Sequence, residues 1–162
     1  MSFQSLLRGL SEDGIEFVVV GGVAAAAHGS PRVTNDLDIC YAVEPANVQR
    51  LARRLAQWSA YPRGTEPGLP FIMDERTLSR SPLLTLTTSE GDLDVMDRVA
   101  GVGGYDEAVR GAVPLEAFEI RFFALDLPAL IQSKRAAARP KDLAQLPELQ
   151  ALLELRQEPG VG

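Results

Sequence analysis

The stretch FVVVGGVAAAAHGSPRVTNDLDIC, Phe17 to Cys40, decides how the whole chain is read. It follows Ile15 and opens on a compact β-branched run ending at Val20, the pattern of a buried strand. Gly21 and Gly22 break that strand, and Val23–His28 has the composition of a helix stopped by Gly29-Ser30-Pro31. Two missing Cβ atoms let the backbone approach a ligand closely, and the helix start turns its free N–H groups and positive dipole end toward the same spot. Such a corner suits a phosphate, although a glycine pair also serves as a plain tight turn. A second strand is expected at Leu37–Ala42, where Asp and apolar residues alternate. Side chains two apart on a strand share a face, so Asp36 and Asp38 project side by side while Leu37 and Ile39 enter the core. Two carboxylates this close repel unless a cation lies between them. Oxygen ligands on a rigid strand suit Mg²⁺ or Mn²⁺, which retain waters for substrate phosphates. Taken alone, Asp-x-Asp also fits the solvent side of an antiparallel strand.

Outward from this segment, apolar residues at 3, 6, 7 and 10 predict a helix over Ser2–Leu10, and those at 48, 51, 55 and 58 predict an amphipathic helix over Pro45–Ser59. Trp58 reads as core. Tyr61–Pro70, with three prolines and two glycines, reads as a loop. Leu83–Thr88 and Leu93–Val99 alternate about Ser89-Glu90-Gly91-Asp92 and predict a hairpin. A Gly-rich connection then leads to a strand at Phe118–Ala124. Helices follow at Leu127–Ala138 and Leu143–Gln157, separated at Arg139-Pro140, with Lys141-Asp142 marking a helix start. The expected fold is α+β with α/β character: a mixed twisted sheet of about five strands, helices on one face and a C-terminal helical pair. Residues 1–162 read as one domain, with a core over about 11–126 and C-terminal helices over about 127–157.

A third acid bears on the Asp pair. If the strand holding Asp94 lies beside that of Asp36 and Asp38, three carboxylates converge, the geometry of a two-metal phosphoryl-transfer site. Asp92 is assigned to the turn and Asp97 to the opposite face, which leaves Asp94. Arg32 and Thr34 precede the pair and either reach phosphates or brace the loop. Lys134 either faces the site or is solvated, and His28 is read as packing locally near the end of its helix.

Composition narrows the class. Hydrophobic residues make up 46% and charged residues 23%, which excludes a mainly disordered, collagen-like or coiled-coil chain. The formal net charge of −6 argues against a passive nucleic-acid coat. The longest uncharged apolar run, Phe17–Ala27, is too short to span a bilayer. No export signal is read at the N-terminus, and the lone Cys40 forms no internal disulfide, so a cytoplasmic location is expected.

Val20-Gly21-Gly22, thirteen intervening residues and then Asp36-Leu37-Asp38-Ile39 resemble the signature of the polymerase β nucleotidyltransferase superfamily. GGVAAAAHGSPRVTNDLDI resembles its small bacterial and archaeal members, including those of toxin–antitoxin and abortive-infection systems. LIQSKRAAARPKDLAQLPEL is similar to the tail of those members, while Arg50–Pro82 lies outside the resemblance. The resemblance implies that Gly21 and Gly22 hold an NTP triphosphate, that Asp36 and Asp38 ligate Mg²⁺ or Mn²⁺, and that Asp94 ligates the catalytic metal and helps deprotonate the acceptor. Many active members carry Ser where this chain has Gly22, so one phosphate contact is missing. The implied reaction transfers a nucleoside monophosphate to a hydroxyl of a protein, an RNA 3′ end such as that of tRNA, or a small molecule. The alternative is a non-catalytic nucleotidyltransferase-like regulatory module. A hydrolase-type phosphatase fits less well because no nucleophile-and-base pair accompanies the acids. An open catalytic face on so small a domain also leaves room for a homodimer or a partner protein.

Overall fold

The computed structural model describes residues 2–66 and 68–157. The first helix, α1 (Phe3–Glu12), is capped by the Ser2 hydroxyl, which accepts from the Ser5 amide. It leads into β1 (Phe17–Val20), buried along its whole length, and α2 (Gly21–Ala27) starts on the next residue. Then come β2 (Asp36–Tyr41), α3 (Pro45–Gln57), the two-residue β3 (Tyr61–Pro62) and α4 (Glu75–Arg80). The hairpin β4 (Leu83–Thr88) and β5 (Gly91–Met96) is followed by the small ribbon β6 (Arg98–Val99) and β7 (Gly103–Gly104) and by α5 (Tyr105–Arg110). A second hairpin, β8 (Ala112–Ala117) and β9 (Ile120–Leu125), precedes the C-terminal pair α6 (Leu127–Ala137) and α7 (Pro140–Gln157).

Among the described residues, seven strands form the main sheet in the order β3-β4-β5-β2-β1-β9-β8. It is mixed, because β2 pairs antiparallel with β1 and parallel with β5, and β1 pairs parallel with β9. The α+β class and the C-terminal pair are as expected, but the strand count is seven rather than about five. The two additions are both edge strands. β3 is too short to show a period, and β8 contains Pro114, which an edge position tolerates because no neighbour needs its N–H. The strand expected from Phe118 starts instead at Ile120. Phe118 and Glu119 both adopt left-handed backbone, with φ 55° and 63°, and form the two-residue turn of the β8–β9 hairpin. Helices pack around the sheet rather than on one face. Tyr41 reaches the Leu78 carbonyl of α4 from one side, while Leu130 of α6 shares a cavity with Val20, Asp38 and Met96 on the other.

Leu37, Ile39, Leu93 and Val95 are buried at the centre of the core, together with Leu51 and Leu55 of α3. Trp58 is buried as expected; its indole lies where a Cβ on Gly9 of α1 would go, and the Arg54 guanidinium sits 5.3 Å from its ring centre. Arg54 also grips Asp13 with two bonds of 2.6 Å, joining α3 to the end of α1. Buried Asn47 accepts from the Glu16 amide and donates to the Glu16 and Ala42 carbonyls, so one side chain satisfies the backbone where β1 begins and β2 ends. No described helix is long and apolar enough to cross a membrane.

Candidate metal and nucleotide site

The register of the sheet assembles the acids. β2 and β5 run parallel with Asp36 opposite Asp92 and Asp38 opposite Asp94, so all four carboxylates stand on one face. Oxygens of Asp36, Asp38 and Asp94 lie within 4.8 Å of one another, close enough to hold a metal ion. Asp92 belongs to β5 rather than to the turn, because Ser89 and Glu90 alone close the hairpin and Gly91 enters the strand with φ 140°.

Electrostatics sets this cluster apart. Burial, then repulsion from Asp36 and Asp94, pushes the Asp38 carboxyl up to about 8. Burial also raises Asp94, against the opposing pull of the Arg63 guanidinium. Asp38 Oδ1 is buried without a hydrogen-bond partner. An orphaned anionic oxygen between two other carboxylates is costly in a protein alone and is the donor set that a hard divalent cation satisfies. The residues therefore fit a hard divalent cation.

Gly21 closes the corner beside Asp38. It takes φ 63°, and a Cβ there would run into the Asp38 carboxylate. Gly22 is also constrained, since a Cβ would lie 2.8 Å from Thr34 Oγ1 and 3.0 Å from Thr34 Cβ. The Thr34 side chain thus fills the space beside Gly22, and its hydroxyl donates to the Asp36 carbonyl at 3.1 Å. A cleft of about 420 Å³ has Gly21, Gly22, Thr34 and the three acids on one wall and Arg32, Lys134, Arg139 and Lys141 on another. An adjoining cavity of about 330 Å³ shares Asp38 and Lys134 and is lined by apolar Val20, Met96, Leu125 and Leu130.

The basic wall is held by one buried acid, Asp142, and one half-buried acid, Glu148. Asp142, fully buried in the first turn of α7, accepts from Arg139 Nε at 2.6 Å, from the Arg139 amide at 3.2 Å and from Lys134 Nζ at 3.3 Å. The Arg139 bond, ahead of that from Lys134, holds its carboxyl down to about 2. Arg32 donates to Glu148 Oε2 at 2.7 Å, and the Ser30 hydroxyl donates to Oε1. This contact fastens the α2–β2 loop to α7, and Arg32 also lines the cleft. His28 packs locally, its Nε2 donating to the Leu125 carbonyl at 2.9 Å.

Sequence reading missed Arg63. It follows β3 in the stretch that reads as a loop, and its Nη2 donates to Asp94 Oδ1 at 2.7 Å and to the Leu86 carbonyl at 2.8 Å. Nη1 lies 4.0 Å from Asp36 Oδ2, and Nε 3.5 Å from Asp92 Oδ2. A lone arginine between Pro62 and Gly64 carries no local signal of this position; only the pairing of β3 with β4 brings it to the acids. Arg139 was likewise read as part of a break between helices.

The sequence matches no family model and no curated protein. Its fold does match solved structures. A candidate nucleotidyltransferase from Thermotoga maritima superposes with a TM-score of 0.52 at 14% identity, over 93% of this chain and 89% of that one. An antigenic nucleotidyltransferase-like protein from Paracoccidioides brasiliensis gives a TM-score of 0.58 at 16% identity, over 94% and 73%. The chain shares the fold of these nucleotidyltransferases, and its Asp36, Asp38 and Asp94 cluster is able to hold a metal ion.

Proposed function

We propose that the protein is a metal-dependent nucleotidyltransferase that transfers a nucleoside monophosphate from an NTP to a hydroxyl acceptor and releases pyrophosphate. The observation that carries this reading is the convergence of Asp36, Asp38 and Asp94 about an unpartnered buried oxygen, beside a glycine corner and facing a basic wall.

Asp36, Asp38 and Asp94 would hold Mg²⁺ or Mn²⁺, which supplies charge neutralisation at the phosphates and a more acidic acceptor hydroxyl. Asp94, at the far side of the cluster from β1, receives the proton of the acceptor hydroxyl on a carboxylate oxygen. The acceptor oxygen then forms its bond to the α-phosphorus as the bond to the pyrophosphate oxygen breaks. Lys134 and Arg139 face the triphosphate from positions held by Asp142, with Arg32 and Lys141 at the rim. The Thr34 hydroxyl lies beside Gly22, where many members carry a serine, but its proton is given to the Asp36 carbonyl, and it would reach a phosphate only by exchanging that bond. The acceptor is a protein side chain, an RNA 3′ end or a small molecule, and the sequence resemblance favours a toxin–antitoxin or abortive-infection setting.

The test is incorporation of label from α-labelled NTPs with Mg²⁺ or Mn²⁺ into protein, RNA and small-molecule acceptors. Incorporation is expected in the wild type and not in Asp36→Asn. Equal labelling by both would end the catalytic reading and leave the non-catalytic module.

A further inference from the structure

We propose that Arg63 is an internal counter-ion that occupies the carboxylate cluster and that a divalent cation enters by displacing it. The inference rests on the metal-site reading above and concerns how access to that site is controlled.

The contacts of Arg63 are those of a shared, unsaturated ion. Three other arginines grip one carboxylate with two nitrogens, Arg54 on Asp13, Arg156 on Asp126 and Arg139 on Asp142, while Arg32 holds Glu148 through Nε alone. That two-pronged geometry is the stable structural pairing. Arg63 instead makes one carboxylate hydrogen bond, to Asp94, and stands 3.5–4.0 Å from Asp92 and Asp36. Its Nε is buried with no hydrogen-bond partner, as is Asp38 Oδ1 in the same cluster. One guanidinium is spread over three acids, makes a hydrogen bond to Asp94 alone, and does not reach the fourth, Asp38.

A guanidinium on Asp94 and a divalent cation on the same carboxylate repel each other, so the arrival of one weakens the hold of the other. The attachment of Arg63 permits this. Its backbone follows a two-residue edge strand and is tied to β4 by one bond, from its amide to the Thr85 carbonyl at 2.9 Å. No described residue from 63 to 74 lies in a helix or strand. The side chain can therefore swing out without dismantling a core element. A divalent ion brings two charges to the acids in place of one and satisfies the orphaned Asp38 oxygen that Arg63 does not reach.

Binding of Mn²⁺ alone, followed by calorimetry and by loss of the free-ion paramagnetic signal, tests this in the wild type, Arg63→Ala, Arg63→Gln and Asp38→Asn. The glutamine variant keeps the length of the side chain should alanine leave the edge unfolded. Removing the competing charge is expected to tighten Mn²⁺ binding by about tenfold. Mn²⁺ is also expected to raise hydrogen exchange in residues 61–66 of the wild type. Unchanged or weaker binding in both Arg63 variants, with binding lost in Asp38→Asn, would overturn displacement while leaving the metal site standing. No binding by the wild type or either Arg63 variant would remove the metal site and this inference together.

Discussion

Two acid–base clusters face each other across the cleft, and they are built on opposite plans. Around Asp36, Asp38, Asp92 and Asp94 the carboxylates outnumber the cations, with Arg63 alone among them in the described residues; burial raises Asp38 and Asp94, and repulsion from its neighbours raises Asp38 further. Around Asp142 the cations outnumber the acid: Lys134, Arg139 and a backbone amide converge on one carboxylate and lower it. The second cluster is complete within the protein and shapes the wall. The first is incomplete, which is the electrostatic mark of a place that binds something positive.

The difference is open to attack from either side. Asp38→Asn should have the largest effect, lowering Mn²⁺ affinity and labelled-NTP incorporation by about a hundredfold or more. The same change should stabilise the metal-free fold. The fold raises the Asp38 pKa above its unfolded value, so the native state holds the proton more tightly and stability falls as pH rises from about 4 to about 8. At pH 8.5 without metal, thermal unfolding of Asp38→Asn should show a gain of at least about 1 kcal/mol; a loss would mean that the acids are a structural pair.

Asp142→Asn should behave in the reverse sense, costing about 2 kcal/mol at neutral pH. Its pKa is lowered on folding, so its contribution is full above about 4 and is lost as pH falls toward about 2. Denaturant unfolding at pH 7 and pH 2.5 should show the gap between wild type and variant shrinking in acid. A constant gap would assign the loss to packing instead of charge. Asp92→Asn is the mildest: at 34% side-chain exposure and 3.5 Å from Arg63, it should change unfolding free energy by less than about 1 kcal/mol. A larger loss would make the Arg63–Asp92 contact a structural ion pair.

Particular residues show how far the chain can be read unaided. Asp36 and Asp38 were legible because a strand's two-residue period is a local property, and so was the glycine corner that follows β1. Asp94 was a conditional expectation, since its strand could be seen but not its neighbour. Asp92 was misassigned by the placement of one turn. The helices α4 and α5 are six residues each, too short for a period to emerge, although Asp74 capping the Thr77 amide was a signal in plain view. Arg63 had no local signal at all.

By itself the sequence determined the strand–glycine–helix corner, the shared face of the first two acids and the helical end of the chain, because propensity and periodicity act over a few neighbouring residues. The tertiary structure alone decided that β5 lies parallel beside β2, that Arg63 rests among the acids and that Lys134 and Arg139 close on Asp142. Apart from Arg139 on Asp142, three residues apart, those contacts join residues 8 to 56 positions apart and depend on which surfaces the buried core brings together.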